Sequence, residues 1–217
     1  MRYTTALFDL DGTITDSGPG IIHAIRYAVR RKGLTEPSEE VLRSFIGPPL
    51  MEQFQKVFSL TREEGAAMVA AYREYYGDRG IFENRVYEGV PEMLMRIRRA
   101  GIRVLMATSK PELYARRIAE HFGFDRHFDF IGGACMDGTR TVKSEVIEYV
   151  LETCGISREE RARTVMVGDR SHDIIGAGKA GLHSLGVLYG YGSREELERA
   201  GAEGIAAQPS DVADLLL

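Results

Sequence analysis

Cysteine is scarce in this chain of 217 residues: only Cys135 and Cys154 occur, at no spacing that suggests a zinc site or a disulfide framework. The opening MRYTTALFDLDGT runs directly into a strand pattern, so a reducing, cytoplasmic location is expected. No apolar run approaches the roughly 20 residues needed to cross a bilayer, which argues against a membrane partner. No basic stripe is present either. The 28 basic and 32 acidic residues are mixed along the chain and sum to a net charge of -4, so nucleic acid is not the expected partner. Internal repeats, low-complexity tracts and long charge blocks are also missing.

What the chain does have is a 44% hydrophobic content, enough for a substantial core, arranged in short β-rich runs. These are TTALFDL, IRVLMAT, FDFIGG, RTVMVGD and HSLGVLYG, most of them separated by segments of helical period. Such alternation predicts an α/β fold with a parallel sheet. Val146, Ile147, Val150, Leu151 and Cys154 form one helical stripe, and Val90, Met93, Leu94 and Ile97 form another before a stop at Gly101. Thr61 with Glu64, Ser157 with Glu160 and Ser193 with Glu196 have the spacing of capping boxes. Between LFDLDGT and IRVLMAT, roughly 70 residues read as helices, more than one crossover needs. A second, all-helical domain is expected at residues 17–83, inserted into a core formed by 1–16 and 84–217.

Four polar clusters fall where ligands gather in open α/β sheets, at the carboxyl ends of strands. Asp9 and Asp11 lie two apart in FDLDGT, on one face of an extended chain, where their charges repel unless a cation intervenes or one keeps a proton. Thr108 and Ser109 lie in MATSK, Lys143 opens KSEVI, and Asp169 and Asp173 lie in GDRSHD. Taken singly, each has an ordinary explanation as a turn, a helix start or a solvated side chain. Lys110 beside Ser109 is a further candidate for bracing the site.

In this order the clusters resemble the haloacid dehalogenase superfamily, specifically its phosphatases with a helical cap and a Rossmann-like core, over essentially the whole length. The resemblance implies that Asp9 is the nucleophile that becomes an aspartyl phosphate and that Asp11 is the general acid and then the base. It implies that Mg²⁺ binds Asp9, the backbone carbonyl of Asp11 and Asp169, with Asp173 a direct or water-bridged ligand. Thr108, Ser109 and N–H groups at the following helix start would hold phosphoryl oxygens, and Lys143 would add a point charge. Gly12 and Thr13 would shape a loop whose N–H groups face phosphate. In the cap, Gly47, Pro48 and Pro49 of FIGPPL would line the substrate.

The implied activity is hydrolysis of a small phosphomonoester, phosphoglycolate phosphatase-like, with nucleoside 5'-monophosphates as the alternative because IGPPL departs from the usual loop. A phosphoglycolate carboxylate would call for Arg43 or Lys56, whereas a nucleobase would call for Phe45, Phe54, Tyr72 or Tyr76. Phosphomutase chemistry and a phospho-accepting switch are open alternatives, and a homodimer is compatible with the resemblance.

Overall fold

The computed structural model describes residues 3–217. The chain runs β1 (Thr5–Phe8), β2 (Thr15–Asp16), α1 (Gly18–Arg31), α2 (Glu39–Arg43), α3 (Leu50–Phe58), α4 (Arg62–Tyr76), β3 (Arg85–Val86) and α5 (Val90–Arg99). It continues through β4 (Arg103–Pro111), α6 (Glu112–Phe122), β5 (Phe130–Ala134), α7 (Lys143–Thr153), α8 (Arg158–Arg161), β6 (Thr164–Gly168) and α9 (Ser171–Ala180). β7 (His183–Val187), α10 (Arg194–Ala200), β8 (Gly204–Ala206) and α11 (Pro209–Leu216) complete it.

Two compact units result, one formed by the residues up to Thr15 with Val86–Leu217, the other by Asp16–Arg85. The first holds a six-stranded sheet in the order β5-β4-β1-β6-β7-β8, every pairing parallel. Leu7, Leu105, Ala107 and Met166 meet Val146, Ile147, Val150 and Leu151 of α7 and Ala177 and Ala180 of α9 on one face. Their neighbours in the strands, Ala6, Phe8, Val104, Met106, Val165 and Val167, point the other way and are equally buried. Covered faces on both sides explain why these strands read as unbroken apolar runs. The chain fills the sheet from β1 outward to β5 and then crosses back to β6. That reversal places the ends of β4, β1 and β6 side by side.

The second unit is helical. Residues Ile21, Ile25, Ala28 and Val29 line the buried face of α1 as the apolar stripe predicts. Gly20 lets α1 approach Gly80 so closely that an added Cβ would lie 2.0 Å from the Gly80 carbonyl oxygen. Thr61 and Glu64 form a reciprocal capping box at α4. No helix among the described residues is long and apolar enough to cross a membrane.

Two glycines thus have opposite roles. Gly20→Ala is expected to lower stability by about 1–3 kcal/mol through overpacking against backbone. Gly178→Ala, exposed within α9 with nothing near its Cβ position, is expected to raise it by up to about 1 kcal/mol. Urea denaturation midpoints of the two variants check both signs.

Candidate active site

β1 ends at Phe8, so Asp9 leaves the strand at the centre of the sheet, and its N–H donates to the Val167 carbonyl of β6 at 3.0 Å. β6 ends at Gly168, which puts Asp169 beside it. Asp173 lies in the first turn of α9, and an added Cβ on Gly168 would lie 2.2 Å from its carboxyl carbon. Only glycine at 168 lets the helix start turn back over the strand end. Asp9, Asp169 and Asp173 are all buried, and one carboxylate oxygen from each falls within 4.8 Å of the others.

Lys143, the first residue of α7, enters this cluster with 5% of its surface exposed. Its Nζ lies 2.7 Å from Asp9 Oδ1 and 2.8 Å from Asp173 Oδ1, and donates to the Ala107 carbonyl at 2.9 Å. The first two contacts are ion pairs and the third is a hydrogen bond. Burial pulls the Lys143 pKa down, but Asp173 and Asp9 outweigh it and hold the group above the usual lysine value. The carboxylates move the same way. Burial raises the Asp9 pKa, and Lys143 offsets this only in part. Burial raises that of Asp169 well above the ordinary carboxylate value, with Asp173 and Asp9 adding to the shift.

Three carboxylates therefore face one ammonium, an excess of two negative charges in a buried site. An all-oxygen donor set with that deficit fits a divalent, oxygen-loving cation.

Asp11 stands outside this cluster. Its carboxylate is held by Lys110, whose Nζ donates to the two oxygens at 2.7 and 2.6 Å with only 4% of the lysine side chain exposed. This pair spans 99 positions in the chain, and spacing alone gave only a weak hint of it.

The N–H of Gly12 donates to the Thr15 carbonyl and that of Thr13 to the Leu10 carbonyl, so these two residues close the turn that follows Asp11. Gly12 has φ +85, and a Cβ there would lie 2.2 Å from Asp169 Oδ2; its bareness makes room for the carboxylate. The Thr13 hydroxyl, fully buried, points to Asp169 Oδ1 at 3.5 Å. β4 continues past Thr108 and Ser109 through a register shift to Pro111, and the following helix, α6, begins at Glu112. Thr108 is buried, and its hydroxyl accepts the Lys110 N–H at 3.2 Å.

In the helical unit, Gly47 has φ +107 and Pro49 caps α3, which fixes the Gly47–Pro49 turn within that unit. Phe45, Phe54, Tyr72 and Tyr76 are buried, with Phe45 against Phe54 at 5.0 Å and Tyr72 stacked on Tyr76 at 5.0 Å. These rings serve as core. Arg43 and Lys56 are exposed. A groove of about 590 Å³ between α1 and α4 is lined by His23, Arg26, Arg30 and Arg31, but each is already paired with a glutamate.

The two buried acids with raised pKa values make a metal test possible. Each binds its proton more tightly in the folded chain, so the stability from that proton is complete below the ordinary value of 3.8 and is lost as pH rises through the raised value. A cation competes with those protons. The gain in Tm on adding a divalent cation is therefore expected to grow as pH rises above the ordinary carboxylate range. Asp169→Asn should flatten the trend, and a gain that is absent or independent of pH would contradict it.

Comparison with known proteins agrees with this geometry. Residues 6–187 match the model of the haloacid dehalogenase-like hydrolases. The chain is 44% identical over 197 residues to a 5'-nucleotidase of Pseudomonas aeruginosa, covering 91% of this chain and 88% of that one. It is 38% identical over 193 residues to the tyrosine-protein kinase PtkA of Mycobacterium tuberculosis, covering 89% of this chain and 65% of that one. The crystal structure of a predicted phosphatase from Clostridium acetobutylicum superposes with a TM-score of 0.94 at 36% identity, covering 100% of this chain and 99% of the other. With its parallel sheet and its carboxylates at the strand ends, the chain belongs to the haloacid dehalogenase-like hydrolase family and is a phosphatase.

Proposed function

We propose that the protein hydrolyses nucleoside 5'-monophosphates through an aspartyl phosphate on Asp9, with Mg²⁺ held by Asp9, Asp169, Asp173 and the backbone carbonyl of Asp11. The cluster of three buried carboxyl groups around a single ammonium is the observation that carries the reading. When bound, a divalent cation offsets the charge of the carboxylates and draws electron density from a phosphoryl oxygen.

The residues of the chain account for the other steps. An Asp9 oxygen attacks phosphorus as the bond to the leaving oxygen breaks, and Asp11, which for this step must carry a proton in place of one of its two Lys110 contacts, gives that proton to the leaving alcohol. Asp11, now a carboxylate, takes a proton from water as that water attacks phosphorus, which releases inorganic phosphate and restores Asp9. Lys143 holds Asp9 and Asp173 in fixed relation throughout and adds a positive charge beside the phosphoryl group. Lys110 orients Asp11 between its two duties. Thr108 and Ser109, in β4 beside the end of β1, are assigned to the remaining phosphoryl oxygens.

Nucleotides are favoured over 2-phosphoglycolate because the relative named 5'-nucleotidase is 44% identical across 91% of the chain. Gly47, Pro48 and Pro49 are assigned to the leaving group as the rigid turn of the helical unit. That unit is read as the cap.

The test is phosphate release from ribo- and deoxyribonucleoside 5'-monophosphates, 2-phosphoglycolate and sugar phosphates, with Mg²⁺ and with EDTA. Nucleotides should give the highest kcat/KM and EDTA should stop turnover; a clear preference for 2-phosphoglycolate would overturn the substrate assignment. Asp9→Asn should cut turnover by at least about a thousandfold with the fold intact, and wild-type turnover with deamidation excluded would overturn the nucleophile. Lys110→Met should lower kcat by about 10- to 100-fold with little change in KM, because only the orientation of the acid–base group is lost. Label from ATP retained on a tyrosine of the protein would point instead to transfer without hydrolysis.

A further inference from the structure

The three S/T-x-x-E sequences were alike, but their glutamates behave differently. At Thr61 and Ser157 the glutamate reaches back to the cap's own N–H, at 2.8 Å in both cases. At Ser193 the hydroxyl accepts the Glu196 N–H at 3.2 Å, yet the Glu196 carboxylate leaves its own helix. Its Oε1 accepts the Ser171 N–H at 2.8 Å and the Arg170 Nε–H at 2.9 Å. α10 thus gives up half of its capping box to grip the segment that carries Asp169 and Asp173.

The loop before α10 grips the same segment from the other side. The Tyr191 N–H donates to Asp169 Oδ2 at 2.8 Å. A Cβ on Gly190 would lie 2.4 Å from Asp169 Cβ and 2.3 Å from the Gly12 carbonyl oxygen, and one on Gly192 would lie 1.9 Å from the Asp169 carbonyl oxygen. Backbone rather than flexible side chain stands in the way, so the two glycines let the loop close over Asp169. Tyr189 anchors the loop with its ring edge against Tyr87 at 5.3 Å. Lys143 touches Asp9 and Asp173 but not Asp169, so the aim of Asp169 depends on this loop and on Thr13.

We propose that Gly190, Gly192 and Glu196 are positioning residues that clamp Asp169 in the orientation a divalent cation requires. The inference rests on the metal reading of the site. Outer contacts of this kind set metal affinity by aiming the ligand rather than by touching the ion.

The experiment is calorimetric titration of Mg²⁺ into the substrate-free full chain, with unfolding measured in parallel. Glu196→Gln keeps an acceptor for the Ser171 N–H but loses the charge facing Arg170; Glu196→Ala loses both. The Mg²⁺ Kd is expected to rise by about tenfold or more in Glu196→Ala and in Gly192→Ala, and by less in Glu196→Gln. Glu195→Gln, exposed on the same helix, should leave it unchanged. At saturating Mg²⁺ the kcat of each variant should stay within about threefold of wild type, since ligand aim and not chemistry is affected. If Gly192→Ala does not fold, the Glu196 pair decides. Folded Glu196 variants with the wild-type Kd would overturn the clamp while leaving the metal reading in place. A wild-type chain that takes up no Mg²⁺ would overturn both.

Discussion

The ammonium of Lys143 is the contact on which the rest of the site depends. Buried at the start of α7, it pairs with Asp9 and Asp173 and donates to the Ala107 carbonyl, and so ties the end of β1, the middle of β4 and the first turn of α9 to one charge. A lone lysine in such a place would lose its proton to desolvation; two adjacent carboxylates keep it charged. One cation for three buried acids still leaves the cluster short. The fold keeps Asp9 and Asp169 where their ionised forms are disfavoured, which is a cost to stability that a bound divalent ion converts into affinity.

The alternation of strands and helices was legible because a sheet covered on both faces needs unbroken apolar runs, and Ala6, Leu7 and Phe8 are buried on alternating sides. Helical stripes at Val90–Ile97 and Val146–Leu151 were legible for the same reason. β8, three residues long, and the two-residue strands β2 and β3 carry too few side chains to show a period. The extension of β4 to Pro111 was hidden by its register shift, which breaks the alternation at Thr108. An ordinary helix-start pattern, KPE, stood over residues that remain extended.

Within the site, residue types could be read and partners could not. Asp9, Asp11, Lys143, Asp169 and Asp173 announce themselves by kind and order. That Lys110 takes Asp11, or that Glu196 leaves its own cap for Ser171, depends on contacts spanning 99 and 25 positions, which no local spacing encodes. Gly12 shows the same limit. Its positive φ was foreseeable from the turn, but the carboxylate of Asp169 that fills the space left by its missing Cβ was not.

The separation of Asp11 from the metal-type cluster bears on what the family's chemistry can become. On the reading proposed above, the three buried carboxylates and Lys143 would act on the phosphoryl group alone, and the same cluster would serve transfer to water or to another hydroxyl. The fate of the phosphoryl group would then rest with the residue that activates the acceptor, and the residue proposed for that task, Asp11, is held by a lysine of its own, outside the cluster. Changing the acceptor would then require altering the Asp11–Lys110 pair, while the charge balance around Asp9 is untouched. Relatives of this chain bear names as different as 5'-nucleotidase and tyrosine-protein kinase, as expected where a fold does not by itself fix the reaction.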